Sequence, residues 1–188
     1  MALKRVFDLV LVGCMGVPLA PLLLAIALLV WLTSKGPVLY WSHRVGLENQ
    51  IFKMPKFRSM RIETPTVATH LLREPEVFVT SVGGLLRKSS LDELPQIWSI
   101  LKGDMSFVGP RPALYNQHDL IELRTRLGVH RAIPGLTGWA QINGRDVLSV
   151  AEKSQLDAEY LRRRSLGFDL LILWFTLFKI FRQDGVSH

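Results

Sequence analysis

Asp92 and Glu93 are neighbouring carboxylates, preceded by the cationic pair Arg87-Lys88 and followed by Pro95. Soon after, Gly109-Pro110-Arg111-Pro112 holds an arginine between two prolines. These residue types in this order suit phosphoryl transfer. A carboxylate such as Asp92 can act as a nucleophile that takes up a phosphoryl group. Adjacent carboxylates resist joint ionisation, and a divalent metal or a nearby arginine offsets the repulsion while shielding incoming phosphate oxygens. Arg111 on stiff backbone suits two-pronged phosphate recognition. Lys56, Arg58 and Arg87 are further phosphate-binding candidates.

A plainer account competes with each of these. Ser90-Leu91-Asp92-Glu93 matches a helix capping box, and acidic residues in a first helical turn are favoured by the macrodipole alone. On those four residues a cap is the simpler account. Arg111 can equally be a turn arginine paired with a surface acid, and isolated cations are usually solvated. Pro95 counts against the cap. With Ser90 as N-cap it would be the fifth helical residue, where it lacks the N–H that the Leu91 carbonyl needs. It also pushes Leu94 out of the helical region, which leaves Asp92 and Glu93 on irregular backbone beside basic groups. Other chemistries lack their residues: there is no Gly-x-x-x-x-Gly-Lys-Ser/Thr loop, no Gly-x-Gly-x-x-Gly and no Gly-x-Ser-x-Gly. The histidines (43, 70, 118, 130 and 188) have no metal-ligand spacing.

The elements that must position these groups share 188 residues, room for one domain and an appendage. A hydrophobic fraction of 48% together with a net charge of +7 points to an anionic membrane surface, an anionic substrate, or both. Nucleic acid is disfavoured, because the one basic run, Arg162-Arg163-Arg164, has no interleaved aromatics. The single cysteine, Cys14, excludes an intrachain disulfide framework. Leu9 to Ser34 carries no formal charge and would span about 39 Å as a helix. It is too long for a signal-peptide core and lacks a clean cleavage site, so retention is expected. Pro18 and Pro21 interrupt its backbone hydrogen bonding, and basic residues flank both ends: Lys4 and Arg5 before, Lys35 and Arg44 after. A hairpin-like helix that returns to the same face and a single-pass anchor both satisfy that pattern.

Val38 to Trp41 and Ile51 to Phe57 read as short strands joined through Gly46-Leu47-Glu48-Asn49. Leu85 to Lys88 and Ile97 to Leu101 read as short helices, and residues 115–128 as a surface helix. Pro134 to Trp139 and Asn143-Gly144-Arg145 read as turns. Val150 to Arg164 is a polar helix with Leu156, Tyr160 and Leu161 toward the core. Leu166 to Phe181 is an apolar helix, interfacial or packed under the domain, interrupted by Asp169 and Lys179.

Several runs together resemble the small bacterial monotopic phosphoglycosyl transferases. They are Lys4-Arg5-x-Phe7-Asp8, Gly36-Pro37-x5-Arg44-Val45-Gly46, Lys56-Phe57-Arg58-Ser59-Met60, Leu86-Arg87-Lys88-x-Ser90 through Gln96, and Lys102-Gly103-Asp104-Met105-Ser106-x-Val108 through Pro112. Pro134-Gly135-x-Thr137-Gly138-Trp139-Ala140-Gln141 and Leu156-Asp157 with Asp169-Leu170 complete the set. The resemblance implies an α+β, mainly helical fold: a re-entrant membrane helix over residues 1–35, broken near Pro21 or Pro18, and a catalytic domain over 36–188 with interfacial helices. It implies transfer of a sugar-1-phosphate from a UDP-sugar to undecaprenyl or another polyprenyl phosphate, releasing UMP through a covalent aspartyl intermediate. Magnesium is the implied cofactor. The implied location is the cytoplasmic face of a bacterial inner membrane, among membrane lipids and without nucleic acid. Asp92 corresponds to the nucleophile and Glu93 to its partner, both also candidate magnesium ligands. Pro110, Arg111, Pro112, Lys56, Arg58, Arg87, Gln141, Arg145, Asp157 and Asp169 form the implied substrate-binding set. The competing class is a membrane-anchored basic adaptor without catalysis.

Overall fold

The computed structural model describes residues 2–65, 74–144 and 147–182. Its first element, α1 (Ala2–Thr33), is a 32-residue helix, about 48 Å if straight. It is long and apolar enough to cross a membrane, and almost none of its most apolar stretch is buried. The helix continues through Pro18 and Pro21. The expected proline break is therefore not a break in helix, although each proline removes one backbone bond.

Both ends of α1 dock on the rest of the chain while its middle does not. At the start, Arg5 donates to the carbonyls of Ile100 and Leu101, and buried Asp8 accepts from Ser106 Oγ at 3.0 Å and the Phe107 N–H at 3.1 Å. At the end, Ile26 and Val30 pack with Phe57 and Leu86, and Arg58 donates to the Ser34 carbonyl and hydroxyl at 2.7 Å each. Between these ends Met15, Val17, Leu22 and Leu24 stay exposed.

β1 (Leu39–Val45) and β2 (Ile51–Phe57) form an antiparallel hairpin pairing Tyr40 with Lys56, Ser42 with Met54 and Arg44 with Phe52. Directly opposed residues share a sheet face, so Lys56, Met54 and Arg44 project together. β1 runs to Val45 rather than Trp41, because its pairing with β2 continues past the polar Ser42 as far as Val45 and Ile51. The turn is made by Glu48 and Asn49 in left-handed conformations, φ 51° and 59°.

After α2 (Gly83–Lys88) comes a 3₁₀ segment, Leu91–Gln96, and then α3 (Ile97–Lys102). The capping box expected at Ser90 does not form. Ser90 adopts a left-handed conformation, φ 56°, and its side chain caps nothing. Regular α-helix waits until Ile97, past Pro95, as the missing proline N–H requires. A true capping box forms instead at Ser149 and Glu152.

β3 (Ser106–Val108) pairs in parallel with β4 (Gly135–Thr137), joined through α4 (His118–Arg126). Sequence patterning reads β4 as part of a turn, because a three-residue strand shows no alternation to detect. The close approach is glycine-dependent: a Cβ on Gly109 would lie 2.4 Å from the Ile133 carbonyl oxygen. α5 (Trp139–Ile142), α6 (Val150–Arg163) and α7 (Leu166–Arg182) complete the chain. Ile172 and Phe168 of α7 join Tyr160, Phe107 and Ile100 in the main core, whereas Leu170, Trp174, Phe175 and Phe178 are exposed. The architecture is α+β and mainly helical, with one long apolar helix at its N-terminal end.

Candidate active site

The 3₁₀ segment sets Asp92 and Glu93 against the inner face of the β1–β2 hairpin. Glu93 is held by two cations. Its Oε1 accepts from Lys56 Nζ at 2.7 Å and from Arg111 Nη2 at 2.6 Å, and its Oε2 faces Arg111 Nη1 at 3.4 Å. Lys56 comes from β2, and Arg111 from the loop after β3. Asp92 is 8% exposed, and among the described residues its carboxylate accepts no hydrogen bond. Arg87, in the last turn of α2, acts on Asp92 electrostatically and also reaches Met60 Sδ at 3.1 Å.

The two carboxyls are driven apart in acidity. Burial raises the Asp92 pKa, against the pull of Lys56. Burial also acts on Glu93, but Arg111 and Lys56 outweigh it and hold that carboxyl well below its ordinary value. Adjacent acids separated in this way can take different roles. Asp92 is the more basic carboxylate and, among the described residues, accepts no hydrogen bond, as suits a nucleophile, whereas Glu93 is a fixed anion. Burial lowers the Lys56 pKa, with Glu93 opposing.

Arg44 is a site residue that sequence reasoning passed over. Its Nε donates to Ser42 Oγ at 2.9 Å and its Nη1 to the Pro112 carbonyl at 3.1 Å. Burial and the neighbouring Arg111 lower its pKa to about 10. Its place on the same hairpin face as Lys56, four register pairs away, was the available signal. Among the described residues, four cations (Arg44, Lys56, Arg87 and Arg111) therefore surround these two carboxylates. Cations gathered in this way suit a dianion such as a diphosphate diester.

The other expected site residues lie elsewhere. Arg58 fastens the end of α1 to Ser34 rather than facing Asp92. Asp157 and Asp169 are buried under other cations: Asp157 Oδ2 accepts from Arg124, and Asp169 from Lys4 and from Tyr160 at 2.8 Å. Both serve as internal counter-ions, so direct substrate contact by either is not what this packing offers. Gln141 lies on α5 beside Gly138, with both amide atoms buried and unbonded among the described residues. Pro110 and Pro112 are buried on either side of Arg111. Arg145 lies outside the described residues.

For a magnesium ion, the donor set is lean. Among the described residues no three His, Cys, Asp or Glu side chains gather. Magnesium is commonly held by one or two carboxylates plus substrate phosphates. Asp92 fits such a site, whereas the Glu93 oxygens are engaged by Lys56 and Arg111.

The bacterial sugar transferase family matches residues 1–183, nearly the whole sequence. The chain belongs to that family. It is 42% identical over 187 residues to a UDP-glucose:undecaprenyl-phosphate glucose-1-phosphate transferase of Escherichia coli K12, covering 95% of this chain and 40% of that protein. It is 40% identical to the uncharacterized sugar transferase EpsL of Bacillus subtilis 168, covering 100% of this chain and 92% of EpsL. A UDP-N-acetylgalactosamine-undecaprenyl-phosphate N-acetylgalactosaminephosphotransferase of Aeromonas hydrophila is 37% identical, covering 97% of this chain and 41% of that protein. The chain thus spans less than half the length of two of these relatives and nearly all of the third. As a bacterial sugar transferase, it places the site just described within the segment shared with all three.

Proposed function

We propose that this sugar transferase moves a sugar-1-phosphate from a UDP-sugar to undecaprenyl or another polyprenyl phosphate at the cytoplasmic face of a bacterial inner membrane. The observation that carries the reading is a buried Asp92 carboxylate of raised pKa that, among the described residues, sits amid four cations and accepts no hydrogen bond. An adaptor needs no such nucleophile.

In the first half-reaction an Asp92 oxygen attacks the β-phosphorus of the donor, the bond from that phosphorus to the bridging oxygen breaks, and UMP leaves with the electron pair. Arg111 and Lys56, anchored by Glu93, receive the diphosphate oxygens, and Arg44 and Arg87 add positive charge beside them. In the second half-reaction a phosphate oxygen of the lipid attacks the phosphorus of the adduct. The Asp92–phosphorus bond breaks, restoring the carboxylate and forming a polyprenyl diphosphosugar. Magnesium, held by Asp92 and the donor phosphates, would neutralise charge developing on those phosphates.

The lipid acceptor explains the anchor. Docking of both ends of α1 on one domain, with its middle exposed, supports a helix that enters and leaves by one face. The exposed apolar side chains of α7, led by Trp174 and Phe178, suit the headgroup level. The test is UMP release across a panel of UDP-sugars with undecaprenyl phosphate, alongside mass spectrometry of protein treated with donor alone. We expect UMP release and a phosphosugar adduct that Asp92→Asn abolishes. Absence of UMP release with every sugar, or an adduct that persists in Asp92→Asn, overturns the reading.

A further inference from the structure

Pro110-Arg111-Pro112 has a backbone problem: two of its three residues lack an N–H, so the loop cannot be fixed by its own donors. Its three consecutive carbonyls are each held from outside. The Gly135 N–H donates to Pro110 O at 2.9 Å, Arg124 Nη1 to Arg111 O at 2.8 Å, and Arg44 Nη1 to Pro112 O at 3.1 Å. The middle one belongs to Arg111 itself, so it fixes the backbone from which that side chain leaves. Arg124, on α4, is in turn oriented by Asp157 of α6, whose Oδ2 accepts from Arg124 Nε at 2.9 Å and also from Nη2. Asp157 is 1% exposed and the Arg124 side chain 11%.

We infer that Asp157 and Arg124 are positioning residues for the transfer reaction, acting through the Arg111 carbonyl to aim the Arg111 guanidinium at the donor diphosphate. The inference rests on the donor reading above. It explains why a buried ion pair, often replaceable by apolar residues without loss of stability, sits behind this loop. Two carboxylate bonds leave only one prong of the guanidinium free, and that prong meets the one carbonyl between the prolines. A pair that merely joined α4 to α6 would have no need of the third bond.

Removing one partner alone strands a buried charge, so the informative variant removes both. Arg124→Met/Asp157→Leu in the full chain should keep its melting temperature, yet bind UDP and pyrophosphate about 10-fold more weakly and turn over about 10–100-fold more slowly, the scale set by small misplacements of a binding group. In an Arg111→Met background the same pair should add less than about twofold, because residues acting through one group are not additive. Arg124→Lys keeps a charge opposite Asp157 but loses the second prong, and should show the same loss of binding. It gives the answer should the apolar pair fail to fold. Unchanged affinity and turnover in these variants, or an equal fold-loss with Arg111 already replaced, overturns the inference. Wild-type protein that binds pyrophosphate but not UDP defeats the donor reading alone, and the positioning role is then read from pyrophosphate.

Discussion

Glu93→Gln separates a counter-ion from a metal ligand or proton donor. Glu93 is 13% exposed and faces Lys56 at 2.7 Å and Arg111 at 2.6 Å, with side-chain exposures of 16% and 30%. At an effective dielectric near 20, each attraction with charge centres ~4 Å apart is worth about 4 kcal/mol, so neutralising Glu93 forfeits about 8 kcal/mol. Glutamine keeps an acceptor for one bond and sheds the desolvation cost of a carboxylate, several kcal/mol. The net loss is about 3 kcal/mol, in line with buried pairs broken on one side. For a chain of this size that corresponds to a fall in melting temperature of about 6–12 °C. Neutralising Glu93 makes the surroundings of Asp92 more positive by one charge, so donor KM should not increase while kcat falls. Loss of the Glu93 anion also lowers the Asp92 pKa, since that anion is among the influences raising it. The acid limb of adduct formation should therefore move to lower pH. Thermal melts and single-turnover adduct formation against pH provide the assay. An unchanged melting temperature with a raised magnesium requirement would refute the counter-ion account and make Glu93 a metal ligand.

Wild-type adduct formation should rise with pH along a limb above the ordinary aspartate range, because attack needs the ionised Asp92 whose pKa burial has raised. It should fall again below the ordinary lysine range as Lys56, lowered by burial, loses its charge. A rate that is flat across both windows removes these groups from the rate-determining step. For topology, cysteines replacing Ala2 and Lys35 in a Cys14→Ser background should both react with an impermeant maleimide from the same side of sealed vesicles. Reaction from opposite sides makes α1 a spanning helix.

Much of the site was legible in the sequence because its groups travel in contiguous runs. Pro95 counted against an ordinary helix beginning at Ser90, and the chain there is 3₁₀ with Ser90 left-handed. The Pro-Arg-Pro run implied a stiffly presented guanidinium, and Arg111 does meet Glu93. The uncharged stretch from Leu9 implied a long apolar helix, and α1 is one. Those inferences depend on local backbone chemistry and composition, which are properties of the sequence itself.

What tertiary structure decided is which charges face one another. Arg58 and Lys56 are two residues apart and look alike in sequence, yet one holds Ser34 at the end of the anchor and the other holds Glu93. Asp157 and Asp169 read as site acids until packing put Arg124 against the first and Lys4 and Tyr160 against the second. Arg44 entered the site only through hairpin register. A carboxylate's role follows from its nearest cation and its burial, and both are set by residues distant in sequence. The composition of the candidate site was therefore written along the chain, whereas the contrast between Asp92, with a raised pKa, and Glu93, pinned as an anion, arose only when β2 and the loop after β3 closed around them.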